Sequence, residues 1–210
     1  LHYRNKSQYP VGADGSIGFY RARSHNVVPV SRCLIQPEVS DRTAQAVGDW
    51  MRRYRISPYD ERTGKGLIRH IYVRVNRRGE SLCCVVANGK QLPRQPELAA
   101  LVRSAAPQTA GIVLNTNTRP GNVVLGEKYR TIWGDNFLMD TLCGLEFKLS
   151  VPSFYQVNPA QTEILYEKAL EFAGLTGRET ALDLYCGIGT ITLCLAQQSR
   201  QAIGAEIVPA

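Results

Sequence analysis

Two glycines one residue apart, Gly187 and Gly189, follow the run Ala181-Leu182-Asp183-Leu184-Tyr185-Cys186 and precede Thr190. Glycine lets a chain leave a strand sharply and pass close to a ligand, with a helix starting behind the turn. The spacing suits a nucleotide-like ligand. A full dinucleotide fingerprint needs a third glycine at position 192, where Thr192 stands, and no Gly-Lys-Ser/Thr follows. A nicotinamide site is therefore a distant reading and a phosphate loop is excluded.

Two acids flank the turn, Asp183 before it and Glu206 at the end of the next expected strand. One carboxylate can accept from two ribose hydroxyls at once, and an acid near the turn can meet a cationic amino-acid group. S-adenosylmethionine offers both and carries no phosphate. The competing reading is an ordinary tight turn between strand and helix.

The elements that must position these residues follow from the pattern. Thr180 to Tyr185 reads as a strand, Thr190 to Gln198 as a helix and Gln201 to Ile207 as a second strand, together a parallel crossover unit. Ahead of it Asn158 caps a helix that has Pro159 at its first position and Gln161 in a capping box, and that stops at Gly174. The first 150 residues read differently. A Gly-turned strand pair lies between Val11 and Val30. A helix opens at Pro37 with Val39, Ala46, Val47, Trp50, Met51 and Tyr54 on one face. Strands follow at Leu67 to Val75, Ser81 to Ala87, Ile112 to Asn115, Tyr129 to Trp133 and Leu145 to Ser150, with a helix from Glu97 to Ala105. The expected architecture is an α+β central domain with a largely antiparallel sheet over 1–150, then the truncated start of an α/β Rossmann-like domain over 151–210.

Charge divides along the same line. Residues 1–100 hold 17 Lys and Arg, 14 of them Arg, against 8 acids, whereas residues 101–210 hold 8 against 10. Arginine pairs with phosphate in two-pronged fashion and stacks on bases, so a nucleic acid is the expected partner of the first part. No apolar run reaches the ~18–20 residues that a membrane span needs. Six dispersed cysteines form neither a zinc pattern nor a disulfide framework, and a reducing cytoplasm is expected.

Three ordered motifs now make a resemblance specific: Ser153-Phe154-Tyr155-Gln156-Val157-Asn158-Pro159, Asp183-Leu184-Tyr185-Cys186-Gly187-Ile188-Gly189-Thr190 and Gly204-Ala205-Glu206-Ile207-Val208-Pro209. They resemble the S-adenosylmethionine-dependent RNA 5-methyluridine methyltransferases. Tyr3-Arg4-Asn5-Lys6, Gly18-Phe19-Tyr20-Arg21 and Cys33-Leu34-Ile35-Gln36 are similar to the central domain of the branch acting on 23S ribosomal RNA. The resemblance implies that Gln156, Tyr185, Gly187, Gly189, Thr190 and Glu206, with Asp183, bind the cofactor. It implies that Phe154 and Tyr155 are an aromatic pair near the target base. Cys33 matches the last of four cysteines that hold a [4Fe-4S] cluster in many members; the other three would precede Leu1.

Family chemistry adds a cysteine thiolate to carbon 6 of uracil so that carbon 5 can attack the sulfonium methyl, after which a base removes the carbon 5 hydrogen. Neither group is identified before residue 210, and Cys186 sits on the cofactor side of the turn. The chain is therefore expected to be a monomeric fragment of an RNA (uracil-5-)-methyltransferase, inactive alone. A transfer-RNA substrate and a purely RNA-binding module are the alternatives.

Overall fold

The structure is a computed structural model describing residues 1–207. The chain divides into two compact units, Leu1–Leu138 and Met139–Ala210. In chain order the first contains β1 (Lys6–Pro10), β2 (Gly18–Tyr20), β3 (Val27–Pro29), α1 (Glu38–Arg53), β4 (Ile68–Val75), β5 (Ser81–Ala87), α2 (Gln95–Ala105), β6 (Thr109–Thr116) and β7 (Lys128–Gly134). Five strands form one sheet in the order β1-β4-β5-β6-β7. Every neighbouring pair is antiparallel except β5 and β6, which run parallel because α2 carries the chain back between them.

Period-two alternation decides which side chains meet the helices. Ile71, Val73 and Val75 of β4, Cys83, Val85 and Ala87 of β5, and Ile112 and Leu114 of β6 join one buried cluster with Ala46, Val47, Trp50 and Met51 of α1 and Leu98 and Val102 of α2. The paired cysteines thus point to opposite faces, and burial pushes the Cys83 thiol up to about 12. Two segments that sequence patterns linked to one family are pinned together: His2 N and Arg4 N donate to Leu34 O (2.8 Å) and Ile35 O (3.1 Å), and Ser7 Oγ donates to Gln36 Oε1 at 2.6 Å. β1 itself was not anticipated, since Lys6-Ser7-Gln8 gives it no apolar alternation.

The second unit is built around a different core. β8 (Phe137–Leu142) and β9 (Leu145–Ser150) pair as a hairpin; α3 (Pro159–Ala173), β10 (Thr180–Asp183), α4 (Thr190–Ala196) and β11 (Gln201–Gly204) follow. Leu142, Phe147 and Leu149 of this hairpin pack with Tyr155, Tyr166 and Cys194. That packing is why the division falls at Leu138 and Met139, twelve residues before Val151. Asn158 caps α3 through Gln161 N, and Gly174 ends it in the left-handed conformation at φ 57°.

Among the described residues β10 and β11 form a two-stranded parallel sheet, with Leu182 60%, Leu184 59% and Ile203 44% exposed. Two strands alone are marginal. In native-state hydrogen exchange of this 210-residue chain by itself, amides of Leu182 and Ile203 are expected to exchange at least about 100-fold faster than those of Val85 and Ile112; equal protection would contradict this. No helix among the described residues is long and apolar enough to cross a membrane.

Candidate functional site

β10 and β11 run in parallel register with Asp183 opposite Gly204, so both strands end at one place. The exits are laced together: Ala205 N donates to Asp183 O at 2.8 Å and Cys186 N to Ala205 O at 3.1 Å. Gly187 and Gly189 then take φ of 54° and 82°, the left-handed region, where a Cβ costs about 1–2 kcal/mol. Gly187 N donates to Glu206 Oε2 at 2.9 Å, which holds the carboxylate against the bend. A Cβ on Gly187 would meet nothing within 4 Å, so the space in front of the turn is open.

Asp183 serves the turn from within. Its Oδ2 accepts from Thr192 Oγ1 at 2.6 Å and its Oδ1 from Tyr185 N at 3.3 Å. Thr192, which in the sequence only marks a missing third glycine, thus ties the first turn of α4 to the end of β10. A hydroxyl one helical turn behind the bend was the available signal. Thr190 Oγ1 shares a hydrogen bond of 2.8 Å with Tyr166 OH, which fastens α4 to α3. Six of the residues singled out in the sequence, Asp183, Tyr185, Gly187, Gly189, Thr190 and Glu206, therefore surround one bend, with the Tyr185 ring 89% exposed. Gln156 is half-buried in the stretch leading into α3, next to Tyr155.

The aromatic pair divides. Tyr155 is only 2% exposed, stands 6.3 Å from the Phe147 ring, and belongs to the cluster against which Ile188 of the turn packs. Phe154 is 68% exposed. Of the two expected base-facing rings, then, only Phe154 presents its surface; Tyr155 supports the turn from below, because adjacent residues of an extended segment face opposite ways.

Among the cysteines of this unit, burial and its neighbour Cys143 raise Cys194 to about 12, which leaves it protonated. Cys186 packs against β11, where a Cβ on Gly204 would lie 2.9 Å from its Sγ and 3.0 Å from its Cβ. Gly204→Ala is accordingly expected to destabilise the second unit by about 1–3 kcal/mol. The check is thermal unfolding followed at the exposed Tyr185; an unchanged transition would show that β11 yields without cost. Cys33 in the first unit is half-buried and its N–H donates to Asp41 Oδ2 at 2.9 Å. No three His, Cys, Asp or Glu side chains gather as metal ligands among the described residues. Within the described residues Cys33 alone answers to the expected cluster, and no step below runs through one.

An open glycine bend with a carboxylate fixed beside it is suited to a ribose: the hydroxyls donate to the carboxylate while the backbone makes room for the rest of the ligand. No protein-family model matches the chain. It is 43% identical over 211 residues to an "uncharacterized RNA methyltransferase" of Halalkalibacterium halodurans, a match covering 99% of this chain and 46% of that protein. A protein of the same description from Caldanaerobacter subterraneus subsp. tengcongensis is 44% identical, covering 99% of this chain and 47% of that one. The chain spans about half the length of the curated relatives it matches. Among solved structures, the Pyrococcus abyssi tRNA (uracil-54, C5)-methyltransferase in complex with S-adenosyl-L-homocysteine superposes with a TM-score of 0.77 at 22% identity, covering 97% of this chain and 48% of that one. The fold is shared with that enzyme.

Proposed function

We propose that the protein carrying this chain is an S-adenosylmethionine-dependent RNA methyltransferase that methylates carbon 5 of a uridine in 23S ribosomal RNA. In this reading the first unit, Leu1–Leu138, grips RNA, and the second unit, from Met139 on and therefore including the β8–β9 hairpin, begins the cofactor-binding domain. The observation that carries it is the bond from Gly187 N to Glu206 Oε2 at 2.9 Å, which sets a carboxylate against an open glycine bend. The names of the relatives and the nucleoside-bearing ligand of the archaeal neighbour support it.

The donor set fits S-adenosylmethionine, which supplies an electrophilic methyl group when bound. Glu206 accepts from its ribose hydroxyls, and the Gly187 to Thr190 bend makes room for its amino-acid part. Gln156 contacts it from the α3 side, and Tyr185 covers it with an exposed ring. Asp183 is a positioning residue, with both oxygens engaged by Thr192 and Tyr185. Phe154 faces the target base.

The test is transfer of a labelled methyl group by the whole protein to transcripts of 23S ribosomal RNA and of transfer RNA, followed by nucleoside mass spectrometry. Label in 5-methyluridine of 23S ribosomal RNA is expected. Label in transfer RNA alone would select the second reading, which the substrate of the archaeal neighbour favours. Label in neither, or on another base, would overturn the proposal.

A further inference from the structure

A cleft of about 700 Å³ lies wholly within the first unit, between the β2–β3 hairpin, the turn after β1 and the segment around Tyr59. Its volume lies within the range of small-ligand sites. Its wall is made by a fault in the sheet. Between Ile68 and His70 the β4–β5 register slips by one residue, leaving Arg69 as the extra residue of a bulge. Bulges re-aim side chains, and here two consecutive ones, Arg69 and His70, line the same cleft.

Both are nine-tenths or more buried and incompletely satisfied. Arg69 is 3% exposed, and its guanidinium donates to the carbonyls of Asn117 (3.0 Å), Arg119 (2.6 Å) and Gly121 (3.1 Å) and lies 4.5 Å from the centre of the Tyr59 ring. These contacts fix its plane and leave Nε without an acceptor. His70 is 5% exposed with no partner at Nδ1. Burial, and then the Arg69 charge, lower its pKa to about 4, so the ring is neutral, and with Nδ1 sealed from the cleft its other ring nitrogen is the one left to meet a ligand.

The remaining lining chooses the ligand. The carboxylates of Asp14, Asp60 and Glu61 outnumber the guanidiniums of Arg62 and Arg69 around the cleft, which disfavours a phosphate inside it. His25 Nδ1 lies 2.6 Å from Glu61 Oε2, and its ring is 5.5 Å from that of Tyr20, which is 41% exposed at the rim. A planar, uncharged heterocycle with donors and acceptors on its edge matches that set. Arg21 and Arg23, exposed beside Tyr20 on the hairpin, would meet phosphates outside the cleft, which favours a base within a strand over a free nucleoside. The hairpin has three residues per strand and can yield to an entering ring.

We propose that this cleft takes an unpaired nucleobase of the bound RNA, stacked on Tyr20 with its edge against Arg69 and His70. This rests on RNA being the partner and adds a second contact to a base, one made by the first unit. The test uses fluorescence anisotropy of the whole protein with single-stranded RNA decamers of A, C or U and with a decamer of abasic ribose phosphate. Tyr20→Ala is expected to weaken binding of at least one base-bearing decamer about 10-fold and leave the abasic decamer and the salt dependence unchanged. His70→Leu should give the same pattern; a thermal melt checks its fold, and Tyr20, at the surface, stands as the variant that does not threaten it.

Equal weakening of base-bearing and abasic decamers, no weakening of either, or failure to bind any RNA would overturn the proposal. So would adenosine or uridine monophosphate occupying the cleft more tightly than the decamers do. If methyl transfer is absent while base-dependent binding through Tyr20 persists, the enzymatic reading fails and this one stands.

Discussion

Replacing Glu206 by glutamine is expected to weaken binding of S-adenosylhomocysteine by the whole protein about 10- to 150-fold, the range that loss of charge-assisted hydrogen bonds of about 1.5–3 kcal/mol implies. Glutamine keeps a carbonyl that can still accept from Gly187 N, which Glu206 Oε2 does at 2.9 Å, so the bend should keep its shape. Titration calorimetry on the folded variant measures the effect, with thermal unfolding in parallel. An affinity within about 3-fold of the parent, or a large loss of stability at unchanged affinity, would make Glu206 a brace of the turn and remove the ribose contact. Asp183→Asn gives the contrast: with both oxygens committed to Thr192 and Tyr185, it should act first on the stability of the second unit.

Trp50→Ala should cost the first unit about 3–5 kcal/mol, a large share of the ~5–15 kcal/mol that holds a domain folded. Trp50 is fully buried between α1 and the sheet, and its Nε1 donates to Arg94 O at 3.1 Å. Arg94 is the residue before α2 and sits at φ 50°, so the indole anchors the start of that helix as well as filling the core. Urea unfolding followed by circular dichroism reads the loss. Arg53→Ala, on the exposed side of α1, should change it by less than about 0.5 kcal/mol. A loss below about 1 kcal/mol for Trp50→Ala would mean that the helices hold the sheet without it.

Much of the fold was written in local pattern. The spacing of Val47, Trp50 and Met51 announced α1, and the apolar pattern from Leu67 to Val75 announced β4. Asn158 and Gly174 marked the ends of α3. Two strands escaped notice, β1 and β8, because the polar Lys6-Ser7-Gln8 and the Asp140-Thr141 pair interrupt the apolar rhythm. Their strand geometry is imposed by partners far along the chain: β1 by Arg74 to His70, and β8 by the hairpin with β9.

At the site, residue type and spacing determined that a glycine bend with an acid at each side should follow β10, since strand, turn and helix are encoded within a few residues of one another. Which groups each acid meets was decided only by the folded chain. Hydrogen bonds from Thr192 and Tyr185 commit Asp183 to the turn, while parallel pairing of β10 with β11 brings Glu206 to Gly187. Tertiary packing likewise sent Tyr155 inward and left Phe154 outside, and it made a cleft wall of Arg69 and His70 through one slipped residue. Periodicity reports which way a segment faces, whereas partners at long range, set by register and packing, decide what each side chain meets.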